Sequence, residues 1–388
     1  MKKLREPIQG LIFNLLPKIG RASTGSTPDI VVLVHLENLG DFILFSAVIR
    51  ETRRNFPGSK LVVVGQKENS GVVQYCPLVD EWLWIQGHKK PKPGESTGRE
   101  TNYYFKIAAT YLKLLLKYKG RIDLLIGPDW LLTKHSDQFR NNILYKKGNV
   151  RGGFAQNNLI VEPGKYISNT HQVPRNLSIL EMLGLNVSSS KTQTWLLPEV
   201  SDFIVQDLTE ELNIGTKIVI SLGAGHSRRN YPAESLTEVI NKIQLARPDI
   251  HFVLIGPKSL DLPKLHNLFL ELANTQNLIG KTDLKAAAEI INRATLVIAN
   301  DSGFAHLSAS LEIPTLVVSA HPLDADPWHL HSPNRYHPWM TEYIELQPLH
   351  LQYPCVGSCL AQAPHCIKGV LVKDVVNAAL SLLNKTSK

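Results

Sequence analysis

The sequence predicts an α/β protein built of two doubly wound domains, each a parallel sheet with helices on both faces. Three observations carry this. Short apolar runs alternate with helical patterns, which is the signature of strand–helix–strand units. The alternation breaks off and restarts near residue 217, so the pattern is laid down twice. The chain has 388 residues, more than one hydrophobic core ordinarily serves.

The first run of elements begins at 30–36, where Ile-Val-Val-Leu-Val-His-Leu reads as a strand covered on both faces. A turn over 37–40 leads into a helix over 41–54. Strands are expected at 61–65 and 82–85, a polar loop at 87–101, a helix at 103–119 and a strand at 122–127. An irregular stretch follows, with a turn at Gly152-Gly153, before a helix near 175–185. The second run places strands at 217–222, 251–256, 277–279, 295–300 and 314–319. Helices alternate with them at 232–245, 262–274, 283–293 and 302–311, and a last helix covers 369–384. The expected organisation is an amphipathic segment over 1–28, a first domain over 29–205, a second over 206–368 and a terminal helical segment over 369–388.

Composition narrows the function. Hydrophobic residues make up 43% and charged residues 20%, as in a soluble globular protein. No apolar run reaches the roughly 18–20 residues of a spanning helix. Only four cysteines occur, which argues against a disulfide scaffold and for a reducing, cytoplasmic setting. The net charge of +8 favours anionic partners. With no zinc-finger pattern and no aromatic RNA-binding signature, nucleic acid is not expected among them. The N-terminal stretch carries Lys2, Lys3, Arg5, Lys18 and Arg21, with Ile8, Leu11, Ile12, Leu15, Leu16 and Ile19 on one helical face. It has no cleavage-site pattern of a signal peptide. Two fates suit it: peripheral contact with an anionic membrane face, or packing on its own domain.

Ligands of doubly wound folds sit beyond the carboxyl ends of the strands, so the loops there carry the chemistry. After the first strand come Asn38, Gly40 and Asp41: a glycine for a tight backbone and a carboxylate at a helix start, either an N-cap or a general base. After the strand at 217–222 come Gly223, Ala224 and Gly225, then Arg228, Arg229 and Pro232. Small residues allow close approach of an anion, the helix N-terminus favours negative charge, and two cations lie beside it. The third glycine of the dinucleotide fingerprint is missing. After the strand at 295–300 come Asp301, Ser302 and Gly303, with His306 on the same helical side. Two helix starts with cations in one domain suit a diphosphate; the other domain offers a carboxylate. Donor nucleotide in the second domain and acceptor activation in the first is the expected division.

These blocks resemble glycosyltransferase family 9, which includes the lipopolysaccharide heptosyltransferases. Asn38-Leu39-Gly40-Asp41-Phe42-Ile43-Leu44 is similar to the family's Gly-Asp-x-hydrophobic-Leu start. Gly223-Ala224-Gly225 with Arg229-Asn230-Tyr231-Pro232 is similar to its Lys-x-Trp-Pro. Ile279-Gly280-Lys281-Thr282-Asp283-Leu284 and the run Asn300 to Ala309 form the most specific block. The resemblance runs from about 30 to 384. It implies a GT-B fold, two Rossmann-like domains with the last helix crossing back to the first. It implies inverting, metal-independent transfer of a sugar, usually heptose from an ADP-heptose donor, to a glycan or glycolipid acceptor. Carried over by position, Asp41 is the acceptor base and Arg229 stands for the diphosphate-binding lysine. Asp301, Ser302, Gly303 and His306 bind the donor, and Asp261 its ribose. This chain departs from the pattern in Arg229, in Tyr231 and in Ala320-His321-Pro322, and 324–339 is rich in His and Trp.

Cys355, Cys359 and Cys366, with His365 beside the last, are candidate ligands of a structural zinc. No other cofactor is expected. Two further functional classes share the architecture: a two-domain nucleotide-sugar epimerase, and a nucleotide-sugar-binding protein without turnover.

Overall fold

The computed structural model describes residues 28–85, scattered positions over 109–126, 169–195 and 215–386, apart from a few single positions and 356–360. The segment 1–27, the loop over 87–101, most of the helix expected at 103–119, the turn at Gly152-Gly153, Asp261 and Cys359 lie outside the described residues. Two compact units emerge. The first takes 1–70, 76–168 and 173–190; the second takes 71–75, 169–172 and 191–388. The second unit therefore begins before the expected boundary at 205/206. Strand-like bonds tie the short return at 71–75 to it: Trp195 N donates to Val72 O at 2.9 Å, and Tyr75 N to Trp195 O at 3.3 Å.

In the first unit, β1 (Ile30–His35), β2 (Lys60–Gln66), β3 (Glu81–Ile85) and β4 (Leu124–Ile126) form a parallel sheet of order β3-β2-β1-β4. Val31 to Val34 are buried without interruption, as a strand covered on both faces requires. Helix α1 (Leu39–Asn55) buries Phe42, Ile43, Phe45, Val48 and Ile49. Asn38 is its extended N-cap, so Gly40 and Asp41 lie inside the first turn. Gly40, expected to form a tight turn, is helical instead, because the turn is completed by Leu36–Asn38 before it. Helix α2 (Gln172–Met182) belongs to this unit from Val173 on.

In the second unit the strands are β5 (Lys217–Ser221), β6 (His251–Ile255), β7 (Thr275–Asn277), β8 (Leu296–Asn300), β9 (Thr315–Val318) and β10 (Tyr343–Leu346). All pair in parallel, in the order β10-β9-β8-β5-β6-β7. The helices between them are α3 (Ala233–Ala246), α4 (Leu262–Phe269), α5 (Leu284–Asn292), α6 (Gly303–Ser310) and the short α7 (Pro333–Tyr336). Pro232, placed by sequence inside its helix, is the residue before it. Asp283 caps α5 by accepting from Ala286 N at 2.8 Å. The edge strand β10 was not expected from the sequence.

The terminal helix α8 (Val372–Thr386) belongs to the second unit. Val375, Ala379, Leu382 and Leu383 join Val239, Ile240 and Ile243 of α3 and the strand residues Ile218 and Leu316 in one core. The buried face of α8 thus packs into the core of the second unit. None of the described helices is long and apolar enough to cross a membrane.

Each sheet reverses direction once. From β1 the chain builds β2 and β3 on one side and β4 on the other; from β5 it builds β6 and β7 on one side and β8 to β10 on the other. The reversal leaves a crevice beyond the ends of β1/β4 and of β5/β8, where such sheets bind ligands. The register places Ser221 beside Ala299, so the loops after β5 and β8 leave one sheet edge together.

Candidate functional site

The loop after β5 is shaped by glycine where nothing else fits. Gly223 has φ +93°, and a Cβ there would stand 3.1 Å from Pro257 Cδ. A Cβ on Gly225 would meet the Arg229 guanidinium at 3.2 Å, so that guanidinium folds back over the loop. A 3-10 turn, Ser227–Arg229, then presents both arginines. Three bonds pin the turn. Ser227 Oγ donates to Gln362 O at 2.6 Å, Tyr231 N donates to Asn300 Oδ1 at 2.8 Å, and Tyr231 Oη donates to Val370 O at 2.9 Å. Asn300, the last residue of β8, thereby joins the two loops, a function the sequence left unmarked.

Arg229 Nη1 and Asp301 Oδ2 form an ion pair of 2.9 Å, both side chains largely buried. One face of Arg229 is thus engaged by protein, while its buried Nε has no protein partner. Ser302 is the extended N-cap of α6, as expected, but its side chain makes no capping bond. Its Oγ is buried with no protein partner. Gly303 opens the helix behind it. The second unit thus brings together Arg228, Arg229, Asp301, Ser302 and Gly303, which the sequence had read as two separate loops.

His306 lies one turn into α6, buried, with Nδ1 lacking a protein partner. Burial holds it neutral, down to about 4, against the opposing pull of Asp301. An imidazole in this state offers a neutral donor or acceptor rather than a cation.

A cavity of about 40 Å³ opens at the arginine turn and is walled by Arg228, Arg229, Asp301, His321, His329 and His331, with Cys355 and Cys366 behind. His321 and His329 stack with centroids 5.8 Å apart, and His329 meets His331 at 5.5 Å. Burial and the neighbouring Arg229 push His331 down to about 4, so its imidazole is also uncharged at neutral pH. Glu345 on β10 is pushed up to about 8 by burial and by Asp301, although Ser319 bonds its carboxyl. A glutamic acid there carries its proton at neutral pH. No local pattern marks this residue, since β10 itself is not expected from the sequence.

Cys355 Sγ lies 3.8 Å from His365 Nδ1, and Cys366 Sγ lies 3.4 Å from it. These are the described residues whose grouping could hold a metal ion. In the first unit, Asp41 is partly exposed in the first turn of α1. The loop before it is fixed by Asn69 Nδ2 donating to Glu37 O at 2.8 Å.

Two parallel-sheet units, each reversing its strand order once, have the architecture of a glycosyltransferase of the GT-B class. The chain belongs to glycosyltransferase family 9 (heptosyltransferase), whose model matches residues 149–343, half of its length. A search of the curated proteins finds no match. Among solved structures, a family 9 glycosyltransferase from Veillonella parvula is 18% identical with a TM-score of 0.67, covering 94% of this chain and 100% of its own. The E. coli ADP-heptose lps heptosyltransferase II is 15% identical with a TM-score of 0.59, over 92% and 99% of the two chains. E. coli heptosyltransferase WaaC with ADP is 16% identical with a TM-score of 0.53, over the same shares.

Proposed function

We propose that this glycosyltransferase moves a heptose, with inversion, from ADP-heptose to a hydroxyl of a lipopolysaccharide-type glycan or glycolipid. The observation that carries this is the switch point of the second unit. Arg228, Arg229, an unpartnered Ser302 hydroxyl and the N-terminus of α6 converge there, with no carboxylate but Asp301 among the cavity's lining residues. That set suits a diphosphate. Asp301 orients Arg229 through their ion pair, and its remaining oxygen capacity suits a sugar hydroxyl rather than a phosphate. The adenine and heptose assignments are supported by the solved relatives described with ADP and ADP-heptose.

The reaction follows from these parts. Asp41 takes the proton of the acceptor hydroxyl while its oxygen bonds to the anomeric carbon. The bond from that carbon to the diphosphate oxygen breaks, and ADP leaves with one more negative charge. Arg229, Arg228 and the α6 terminus stabilise that charge as it develops. We place the reaction at the inner face of a membrane, where the basic N-terminal stretch would meet an anionic lipid-linked acceptor; salt extraction from membranes tests it, and a wholly soluble pool at low salt overturns it.

The deciding experiment is a thermal-shift screen against ADP, GDP, UDP and ADP-heptose. The matching donor raises Tm by linkage, and Arg229→Ala abolishes that shift. A shift with UDP alone would overturn the adenine reading. Sugar isomerised without any acceptor would turn the reading to an epimerase.

A further inference from the structure

We propose that Cys355, His365 and Cys366 bind a thiophilic divalent transition ion, zinc or ferrous iron, in the wall of the cavity that holds the arginine pair. The ligand atoms all lie within 4.8 Å of one another. Zinc–thiolate bonds are about 2.3 Å and zinc–imidazole bonds about 2.0–2.1 Å; at a tetrahedral angle this separates sulfur from nitrogen by roughly 3.6 Å. The two sulfur–nitrogen distances, 3.8 and 3.4 Å, bracket that value, so both cysteines stand at co-ligand distance from His365. Two thiolates and an imidazole select zinc or iron(II) over the oxygen-seeking magnesium and calcium. Both cysteines are buried, which shields their bonds from water and competing ligands.

The backbone presents the ligands without help from the ion. Cys355 N donates to Gln352 O at 2.9 Å, closing a turn, and Lys368 N donates to His365 O at 3.0 Å as the 3-10 turn Cys366–Gly369 begins. The ion would clip these two turns together. Binding replaces two thiol protons, released to solvent, with two metal–sulfur bonds, and uses the unprotonated Nδ1 of His365. Three protein ligands leave the fourth position to water or to a further donor.

The clip also bears on the donor reading proposed above, on which this second part rests. Leu351, Cys355 and Cys366 line the same cavity as Arg228 and Arg229. Between the clipped turns, Gln362 O accepts from Ser227 Oγ, in the very turn that presents the arginines. The ion would therefore hold the arginine turn in place through one hydrogen bond and a shared wall. It needs no contact with substrate.

Elemental analysis of the full-length protein, purified without a histidine tag, tests the site directly and identifies the ion. About one zinc or iron per chain is expected, with cobalt(II) reconstitution giving thiolate charge-transfer and tetrahedral d–d absorption. Cys355→Ser and Cys366→Ser lose both signals, while Cys76→Ala keeps them. A chelator lowers the wild-type Tm and added zinc restores it, which does not depend on a variant folding. Metal content near zero with no cobalt spectrum, or a Cys355–Cys366 disulfide by mass spectrometry, overturns the site. ADP affinity by calorimetry is expected to fall several-fold on chelation and recover with zinc. Unchanged affinity overturns the link to the donor pocket and leaves the ion. Absence of ADP binding in both states overturns the donor reading and with it the link, while the elemental analysis still decides the site.

Discussion

The two units place their decisive loops at the same topological position and give them opposite charge. After β1 the chain turns through Leu36, Glu37 and the N-cap Asn38 into α1, and Asp41 stands in the first turn. After β5 it runs through Gly223 and a 3-10 turn of arginines before α3 begins, and the neighbouring β8 adds Ser302 and Gly303 at a second helix start. Every helix N-terminus favours negative charge. In the first unit a resident carboxylate already meets that preference, which suits the base proposed there. In the second, small and cationic residues leave it for an anion from outside. On the proposed reading, one strand–loop–helix design serves as proton acceptor or diphosphate cradle, depending on two or three side chains.

The largest effect comes from removing the resident acid. Asp41→Asn is expected to cut kcat by roughly 10²–10⁴, the range of a lost general base, with ADP affinity by calorimetry unchanged. Full turnover in that variant would end the contrast between the units. Arg229→Ala is next. Losing charge-assisted bonds worth about 1.5–3 kcal/mol should weaken ADP binding roughly 10- to 150-fold. Arg229→Lys should recover part of this, since it keeps the charge without the fork. Equal ADP affinity in the alanine variant would remove the arginine from the site.

A third test asks whether the second loop needs its backbone. Gly223→Ala forces a side chain onto φ +93° and against Pro257, at a cost of about 1–3 kcal/mol. Gly58→Ala, with nothing within 4 Å of the new Cβ, is the matched control in the first unit. Equal melting temperatures for the two variants would show that the turn tolerates other conformations.

Most of the strands could be anticipated because strands buried on both faces read as unbroken apolar runs, as in Val31 to Val34 and Ile218 to Ile220. Both helix-start loops were legible for the same reason: each follows such a run. The fusion of the two loops was not, since it depends on Asn300 reaching Tyr231 N, a contact set by register rather than by local pattern. Strand β10 escaped because Tyr343-Ile344-Glu345-Leu346 places a carboxyl where an apolar residue would mark a strand. That α8 shares a core with α3 could not be read locally: an apolar stripe specifies that a helix is buried, not which neighbour receives it. The histidine wall depends on how the loop after β9 folds, and no periodicity encodes that.

Acid should weaken both units through their buried histidines. His35 is held down to about 3 and His306 to about 4, burial being the main cause in each. Their unfolded value is 6.5, so below that pH the unfolded chain takes up protons that the folded chain refuses. Stability is therefore full above pH 6.5 and falls as pH drops toward the folded values, by up to about 1.4 kcal/mol per histidine per pH unit. His35 stacks on Phe45 at 4.7 Å, so His35→Phe should flatten the fall of Tm between pH 7 and 5. An unchanged slope would place the acid sensitivity in the second unit alone.

The smallest effect is the most discriminating for the anion cradle. An N-cap serine normally contributes about 1 kcal/mol through its bond to the helix, and replacing it with alanine lowers Tm accordingly. Ser302 makes no such bond, so Ser302→Ala should leave Tm almost unchanged. Its buried, unpartnered hydroxyl should instead be missed by the donor, weakening ADP by about 0.5–1.5 kcal/mol, or roughly 2- to 13-fold. A drop in Tm with unaltered ADP affinity would reverse the assignment. The hydroxyl would then be a structural cap, and the cradle would reduce to the arginines and the helix terminus.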